Sequence, residues 1–578
     1  MHPLLSDMVL TLVVVALIFW KPELGSRPLI AAARALRRLA RHPVRAVVLV
    51  ALLAAVGSAV VAFFCGLPVP WYHDEFSYLL TADTFAHGRL SNPPHPMWRH
   101  FESFHVFHQP TYASKYPPGQ GLVLGLGQLL GAHPAVGLWL SAGLLCAAIL
   151  WMLRGWLPAP LAVLGAILVA LRLGIGHYWT QSYWGGAVAA IGGALLYGAL
   201  RRVVDRLRWH DAVTMGIGIA TLANSRPYEG LILCVPAAAA LAVWLLGKNR
   251  PPPGRVLRSF FLPIMAVLGL AAGAMAIYNF KVTGEALTMP YLVYERSYAR
   301  MPLFVWQEMR PKPDYPTHDF ERFYENRTSP YRSDAYWIGA REAWRRVGRT
   351  LTAYLGFSLL VAGVVTLREL LRDRWMRLAL AACAVAVSAH FITYDWSQHY
   401  NAPITGLLFA LALAGVRQLW VWRWRGHRIG RRLVGGLVLI QIFLLFWQLP
   451  EYNSTPHHLR RPAMREQLEH TAGKHLVIVR YGLYHVPEWD WVYNGADIDG
   501  AKVIWARDLG AEKNRELIDY FADRRAWLAE IDVADPDRPR LLPYSLASPQ
   551  SGNLTDTPTP TYQSSAPSDS PSPPATSS

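Results

Sequence analysis

The segment Trp71-Tyr72-His73-Asp74-Glu75-Phe76-Ser77-Tyr78-Leu79-Leu80 decides how the chain is read. It follows an apolar run, 46–67, of membrane-spanning length. Two adjacent carboxylates therefore lie where a helix leaves the bilayer. Ionisable groups are costly at such a boundary and point to function. The bland alternative is a solvated loop at the membrane surface.

Outward from this segment the same alternation continues. The chain of 578 residues is 53% hydrophobic and only 16% charged, and its apolar residues are blocked into runs. The runs are 4–20, 46–67, 134–153, 159–176, 185–200, 212–223, 230–247, 260–280, 350–367, 378–393, 402–420 and 433–449. They predict a multi-pass α-helical membrane protein of about 12 spans with its N-terminus outside. The first run lacks a basic n-region and an Ala-x-Ala site, so it reads as a retained helix rather than a signal peptide. The net charge of +17 sits in short loops between runs, such as 27–45, 201–208, 248–258, 368–377 and 423–432. That is the positive-inside pattern, so the partners it implies are membrane lipids and not nucleic acid. Cys65, Cys146, Cys234 and Cys383 lie in or at the end of apolar runs and read as small core residues.

The organisation follows. Residues 1–45 give the first helix and a basic cytoplasmic loop. Residues 46–450 form the membrane region, with long outer loops 68–133 and 281–349. Within the first loop, 77–87 suggests a short helix lying on the membrane, and 121–131 is apolar but too short to span. Residues 451–548 change character: 474–479, 501–506 and 525–531 read as strands and 513–521 as a helix, a small extracytoplasmic α/β domain. The tail 549–578 is rich in Ser, Thr and Pro and reads as disordered. Triplets at Asn326, Asn453 and Asn553 fit a glycosylation acceptor but carry no weight alone.

The outer features that carry chemistry are Asp74-Glu75, Lys115-Tyr116-Pro117-Pro118, the aromatic stretch Tyr178-Trp179-Thr180-Gln181-Ser182-Tyr183-Trp184, Arg226-Pro227-Tyr228-Glu229 and His399-Tyr400. A carboxylate at a low-dielectric boundary gains basicity and suits a general base for a hydroxyl. Lys115, Arg226 and His399 suit a phosphate that departs as an anion. Tyr116, Tyr178, Trp179, Trp184 and Tyr228 offer faces for sugar or acceptor. Each has a plainer reading. Arg226 anchors a helix end, Lys115 snorkels to lipid phosphate, His399 is a capped structural histidine, and the Trp/Tyr stretch is an interface belt.

Asp74-Glu75 with Tyr78-Leu79-Leu80 and Ala82 after the first long outward span resembles the first outer loop of the GT-C glycosyltransferase superfamily. The closer likeness is to its bacterial branch of protein O-mannosyltransferase-like and aminoarabinose-transferase-like enzymes. Lys115-Tyr116-Pro117-Pro118-Gly119-Gln120-Gly121, Arg226-Pro227-Tyr228-Glu229-Gly230 and His399-Tyr400-Asn401-Ala402-Pro403 resemble further motifs of that branch, in order over 45–450. The resemblance implies a GT-C-like fold in the bacterial cytoplasmic membrane. It implies transfer of a sugar from a polyprenyl-phosphate donor to a glycolipid, polysaccharide or protein at the extracytoplasmic face. It implies Asp74 as catalytic base with Glu75 beside it, and Lys115, Arg226, His399 and Tyr400 at the donor phosphate. Many relatives carry a second acid in the next outer loop, whereas 177–184 has no Asp or Glu. No metal is therefore predicted; a divalent ion would need Asp74, Glu75 and His73 or His177. The rival readings are a flippase of a lipid-linked sugar and a non-catalytic envelope-assembly subunit. A flippase predicts repeated spans and polar residues at mid-membrane, and no repeat is visible in the sequence.

Overall fold

The computed structural model describes residues 3–21, 26–248, 250–328, 340–448, 456–482, 485–531 and 539–545. The 549–578 tail and the Asn453 and Asn553 triplets lie outside these residues. The helices, in order, begin with α1 (Pro3–Trp20), α2 (Ser26–Ala40), α3 (Pro43–Cys65), α4 (His73–Ala86), α5 (Gly119–Gly131), α6 (Ala135–Trp156) and α7 (Ala159–Val169). They continue with α8 (Ala187–Arg206), α9 (Trp209–Ala223), α10 (Pro227–Leu246), α11 (Leu262–Thr283), α12 (Pro290–Tyr298) and α13 (His318–Asn326). The last membrane helices are α14 (Ala340–Val365), α15 (Arg374–Ser388), α16 (Thr405–Val421) and α17 (Ile429–Gln448).

Every expected span falls on one of these helices. Among the described residues nine are long and apolar enough to cross a membrane, and Leu5–Trp20 and Ala159–Gly174 are shorter apolar helices. The remaining expected span is α9, which has 15 residues. In hydrocarbon each backbone polar group must be satisfied within its own segment, which is why these runs are helical. Close crossings fall at glycines. A Cβ on Gly193 of α8 would overlap the Pro403 carbonyl, and one on Gly127 of α5 would overlap the Gly137 backbone of α6.

One helix is broken on purpose of packing. Gly356, at φ +68, interrupts α14, where a side chain would be strained. The amides of Phe357 and Ser358 beyond the break donate to the buried Asp7 carboxylate of α1, at 2.8 and 3.3 Å. Arg172, in a π-helical turn after α7, donates to the Thr352 carbonyl at 2.6 Å just before the break.

Two expectations need correction. The basic loop 27–45 is mostly helix α2, because Leu29, Leu36 and Leu39 recur at helical spacing and pack inward while the arginines stay out. The short helix of 77–87 starts earlier, at His73, and is packed into the protein. Its Phe76, Tyr78, Leu80 and Ala82 are buried. Tyr78 and Ala82 pack with Leu124 and Leu138, and the α/β domain covers Phe76 and Leu80.

That domain has helix α18 (Pro456–His470), strands β1 (Lys474–Tyr481), β2 (Val503–Arg507) and β3 (Arg524–Ile531), helix α19 (Ala511–Tyr520) and an unforeseen edge strand β4 (Arg540–Pro543). The order is β2-β1-β3-β4. β1 pairs parallel with β2 and β3, and β4 is antiparallel to β3. Phe76 and Leu80 of α4 share one apolar cluster with Leu476, Ile478, Tyr493 and Ile504 of the domain. The Phe76 and Tyr493 rings stack at 4.2 Å, and the Ala496 amide donates to Asp83 of α4 at 2.7 Å.

The crossing at Gly193 is testable. Gly193→Ala is expected to lower stability by about 1–3 kcal/mol through overpacking against backbone. Gly269→Ala, where no atom lies within 4 Å of the new Cβ, should leave the melting temperature in detergent unchanged.

Candidate active site

The site is built on the first turn of α4. Asp74 and Glu75 are both in that turn, where helix N–H groups favour negative charge. As neighbours on a helix they point in different directions, and their surroundings differ sharply. Glu75 is fully buried. Its carboxylate accepts the amides of Tyr183 at 2.8 Å, Trp71 at 3.3 Å and Tyr72 at 3.4 Å. Burial pushes its carboxyl up to about 7, against the pull of those amides. Asp74 keeps 19% of its side chain exposed. It accepts a hydrogen bond from the Tyr116 hydroxyl, and His105 Nε2 lies 3.8 Å away.

Behind Asp74 the His73 and His105 rings meet edge to face at 4.6 Å. Both are buried, and their Nδ1 atoms have no partner among the described residues. Burial pushes the His73 imidazole down to about 4 and His105 well below its ordinary value, so both are neutral at neutral pH. Tyr78 stacks on Tyr116 at 4.7 Å, and burial raises its phenol to about 12.

Lys115 is buried with Nζ 3.0 Å from the Glu295 carboxylate of α12. The rings of Tyr116, Tyr291 and Tyr294 surround the ammonium at 5.3, 5.0 and 4.9 Å. Its charge is thus matched within the protein. Arg226, at the N-cap of α10, differs. Its guanidinium rests on the Tyr400 ring at 4.7 Å, and no side-chain hydrogen bond or carboxylate within 4 Å engages it among the described residues. Tyr78, Glu229, Tyr400 and Tyr116 act on it electrostatically, and Asp74 acts likewise on Tyr400. Tyr400 also donates to Asp395 at 3.1 Å.

The other predicted residues divide. His399 is buried, with Nδ1 2.9 Å from the Ser397 hydroxyl and its ring 5.2 Å from Trp184. Trp184 stacks on Tyr72 at 4.8 Å, beside Tyr178 at 6.4 Å. These line the approach to Asp74 from the 178–184 side. Trp179 does not: it is 1% exposed, its ring fills the space a Gly186 Cβ would need, and it abuts Tyr354. As a core residue it offers no face to a sugar. Tyr228 is tied to the Ala389 carbonyl at 2.7 Å and packs on Phe304 at 5.4 Å.

His105 and Glu295 belong to the site and escaped the reading of the sequence. Neither sits in a motif. The one available signal was the crowding of Tyr291, Tyr294 and Tyr298 around a single Glu in the second long loop. Among the described residues no three His, Cys, Asp or Glu side chains are placed to share a metal ion. His177, the further candidate ligand, instead caps the 178–181 turn by accepting the Trp179 amide at 3.4 Å.

No protein-family model and no curated protein matches the sequence. Solved structures do. The apo ArnT of Cupriavidus metallidurans aligns over 86% of this chain and 99% of its own, at 12% identity and TM-score 0.45. The same protein bound to undecaprenyl phosphate aligns over the same shares, at 13% identity and TM-score 0.44. The Archaeoglobus fulgidus oligosaccharyltransferase tethered to an acceptor peptide aligns over 84% of this chain and 68% of its own, at 13% identity and TM-score 0.44.

The raised Glu75 carboxyl has a definite sign. The folded chain holds this proton more tightly than the unfolded one, so its contribution to stability is full below pH 4.5 and is lost as pH rises through about 7. The change is on the order of 3 kcal/mol. Thermal unfolding in detergent at pH 5 and pH 8 should show the stability of the wild type relative to Glu75→Gln falling as pH rises.

Proposed function

We propose that the chain transfers a sugar from a polyprenyl-phosphate donor to an acceptor hydroxyl, as an integral membrane glycosyltransferase. The observation that carries this reading is that the partly exposed acid Asp74 and the cation Arg226, which has no carboxylate within 4 Å among the described residues, meet at one tyrosine cluster: Tyr116 donates to Asp74, and the Tyr400 ring under Arg226 feels both charges. The motif resemblance gives the same assignment for both residues.

In the proposed reaction the acceptor oxygen attacks the anomeric carbon from the face opposite the phosphate. The new C–O bond forms as the anomeric C–O(phosphate) bond breaks, with inversion. Asp74 takes the acceptor proton, and the polyprenyl phosphate leaves as an anion toward Arg226. A base in position is worth about 10²–10⁴ in rate. The Tyr116 hydroxyl orients the Asp74 carboxylate, and neutral His105 lies 3.8 Å behind it. Glu75 acts by position, since its carboxylate is wholly engaged with backbone amides. Lys115, neutralised by Glu295, shapes the tyrosine wall and contributes less charge to the phosphate than Arg226. Trp184, Tyr72 and Tyr178 suit stacking against a ring.

The side of the membrane follows from charge. Basic clusters lie at one end of the helices and the site residues at the other, so the positive-inside rule supports an extracytoplasmic site, and the motif resemblance implies the bacterial inner membrane. A glycolipid, polysaccharide or protein acceptor fits this geometry equally.

Purified protein incubated with a radiolabelled polyprenyl-phosphate sugar tests the assignment. Asp74→Asn should lower transfer at least about 10²-fold with an unchanged melting temperature. Turnover at the wild-type rate in that variant would end the proposal. Arg226→Gln should lower transfer by about 10²–10³-fold, and Arg226→Lys should recover part of it. The product anomer, read by NMR, should be inverted relative to the donor.

A further inference from the structure

The end of the bundle opposite Asp74 carries charge without a counterpart. Segment 26–45 holds six arginines and segment 421–432 holds five, and neither contains Asp or Glu. The fold joins the two segments. Leu29 of α2 occupies the space that a Cβ on Gly435 of α17 would take. Arg37 of α2, with Arg423 and Arg428, lies close enough to Arg431 to repel it.

Three features of this junction are unfavourable as they stand. The guanidiniums repel one another. Arg431 and Arg432 fall in the first turn of α17, where the helix end is itself positive and cations are disfavoured. Arg431 Nε and Arg432 Nε and Nη1 are buried with no hydrogen-bond partner among the described residues. An unmade hydrogen bond at a buried donor is costly. Other basic groups are matched locally: Arg201 has Asp205 at 3.0 Å, and Arg372 has Glu369 at 2.7 Å. Glu23, the carboxylate nearest α2 in sequence, lies outside the described residues.

One anion would relieve all three, and the surroundings indicate which. Trp420 lies 5.6 Å from Arg431, and Trp424 packs against Phe19 at 5.0 Å. Tryptophans of this kind mark headgroup depth. We propose that the junction of α2 and α17 binds the headgroup phosphate of an acidic phospholipid through Arg431 and Arg432, with Arg37 beside them. Two guanidinium forks are suited to a phosphodiester, and the amphipathic α2 then lies along the headgroup layer with its arginines toward the anion.

The test uses the full-length protein in neutral detergent. Bound lipid is counted by native mass spectrometry, and melting temperature is followed with phosphatidylglycerol, phosphatidylcholine or inorganic phosphate added. Phosphatidylglycerol should bind and raise the melting temperature, and the other two should not. Arg431→Gln/Arg432→Gln should bind it at least about tenfold more weakly. If that double variant does not fold, Arg37→Gln should show a smaller loss. Arg372→Gln, at a carboxylate-paired site, should bind like the wild type. Equal stabilisation by phosphatidylcholine or by inorganic phosphate would overturn the proposal, as would undiminished phosphatidylglycerol binding in the Arg431/Arg432 or Arg37 variants.

Discussion

The arrangement around Asp74 depends on the Glu75 carboxylate. A carboxylate with no exposure is tolerable only if its oxygens are well engaged. Here the engagement ties three backbone positions together: two where the chain enters α4, and Tyr183 from a loop more than a hundred residues later. That one side chain fixes both the start of the helix and the distance to the Trp184 wall. Asp74 is aimed because its neighbour is anchored. From a distance along the chain the adjacent acids look interchangeable, but one is a structural pin and the other stays partly exposed.

The rest of α4 is held from two further directions. On one side the glycines of α5 allow contact down to backbone: Gly125 sits 2.9 Å, measured from its would-be Cβ, from the Ala82 carbonyl oxygen. On the other side the α/β domain closes over Phe76. Its grip continues into the membrane region through polar contacts. Arg507 pairs with Asp490 inside the domain and donates to the Glu102 carbonyl, and the Glu102 carboxylate accepts from Tyr298 at 2.5 Å. Tyr298 ends α12, the helix that carries Glu295 to Lys115. Buried pairs of this kind stabilise only when all their hydrogen bonds are made, and they hold one relative position of the parts they join. The domain is packed against α4 and Glu102 rather than appended to the bundle.

Within the bilayer the same economy of contacts applies. Lipid tails give no hydrophobic reason for helices to associate, so close packing at glycines and a few buried polar contacts set the bundle. The break at Gly356 shows both at once. A glycine permits the interruption, and Asp7 from the first helix satisfies the amides it exposes. This ties the part of α14 beyond the break to α1.

The sequence by itself determined the membrane architecture, because a span is a local property: length, hydropathy and the sign of flanking charge are all written in consecutive residues. The parallel strands of the α/β domain were legible for the same reason, since Leu476 to Val479 and Val503 to Ala506 form short continuous apolar runs. Asp74, Lys115 and Arg226 were legible as candidates because each stands at the end of an apolar run. Only the tertiary structure decided what surrounds each one. Whether a charge is free or matched depends on a partner far along the chain, as Lys115 depends on Glu295. Whether an aromatic ring faces a cavity or the core depends on which helix lies against it, as Trp179 depends on Gly186. Burial and pairing are sums over distant segments, and no local window contains them.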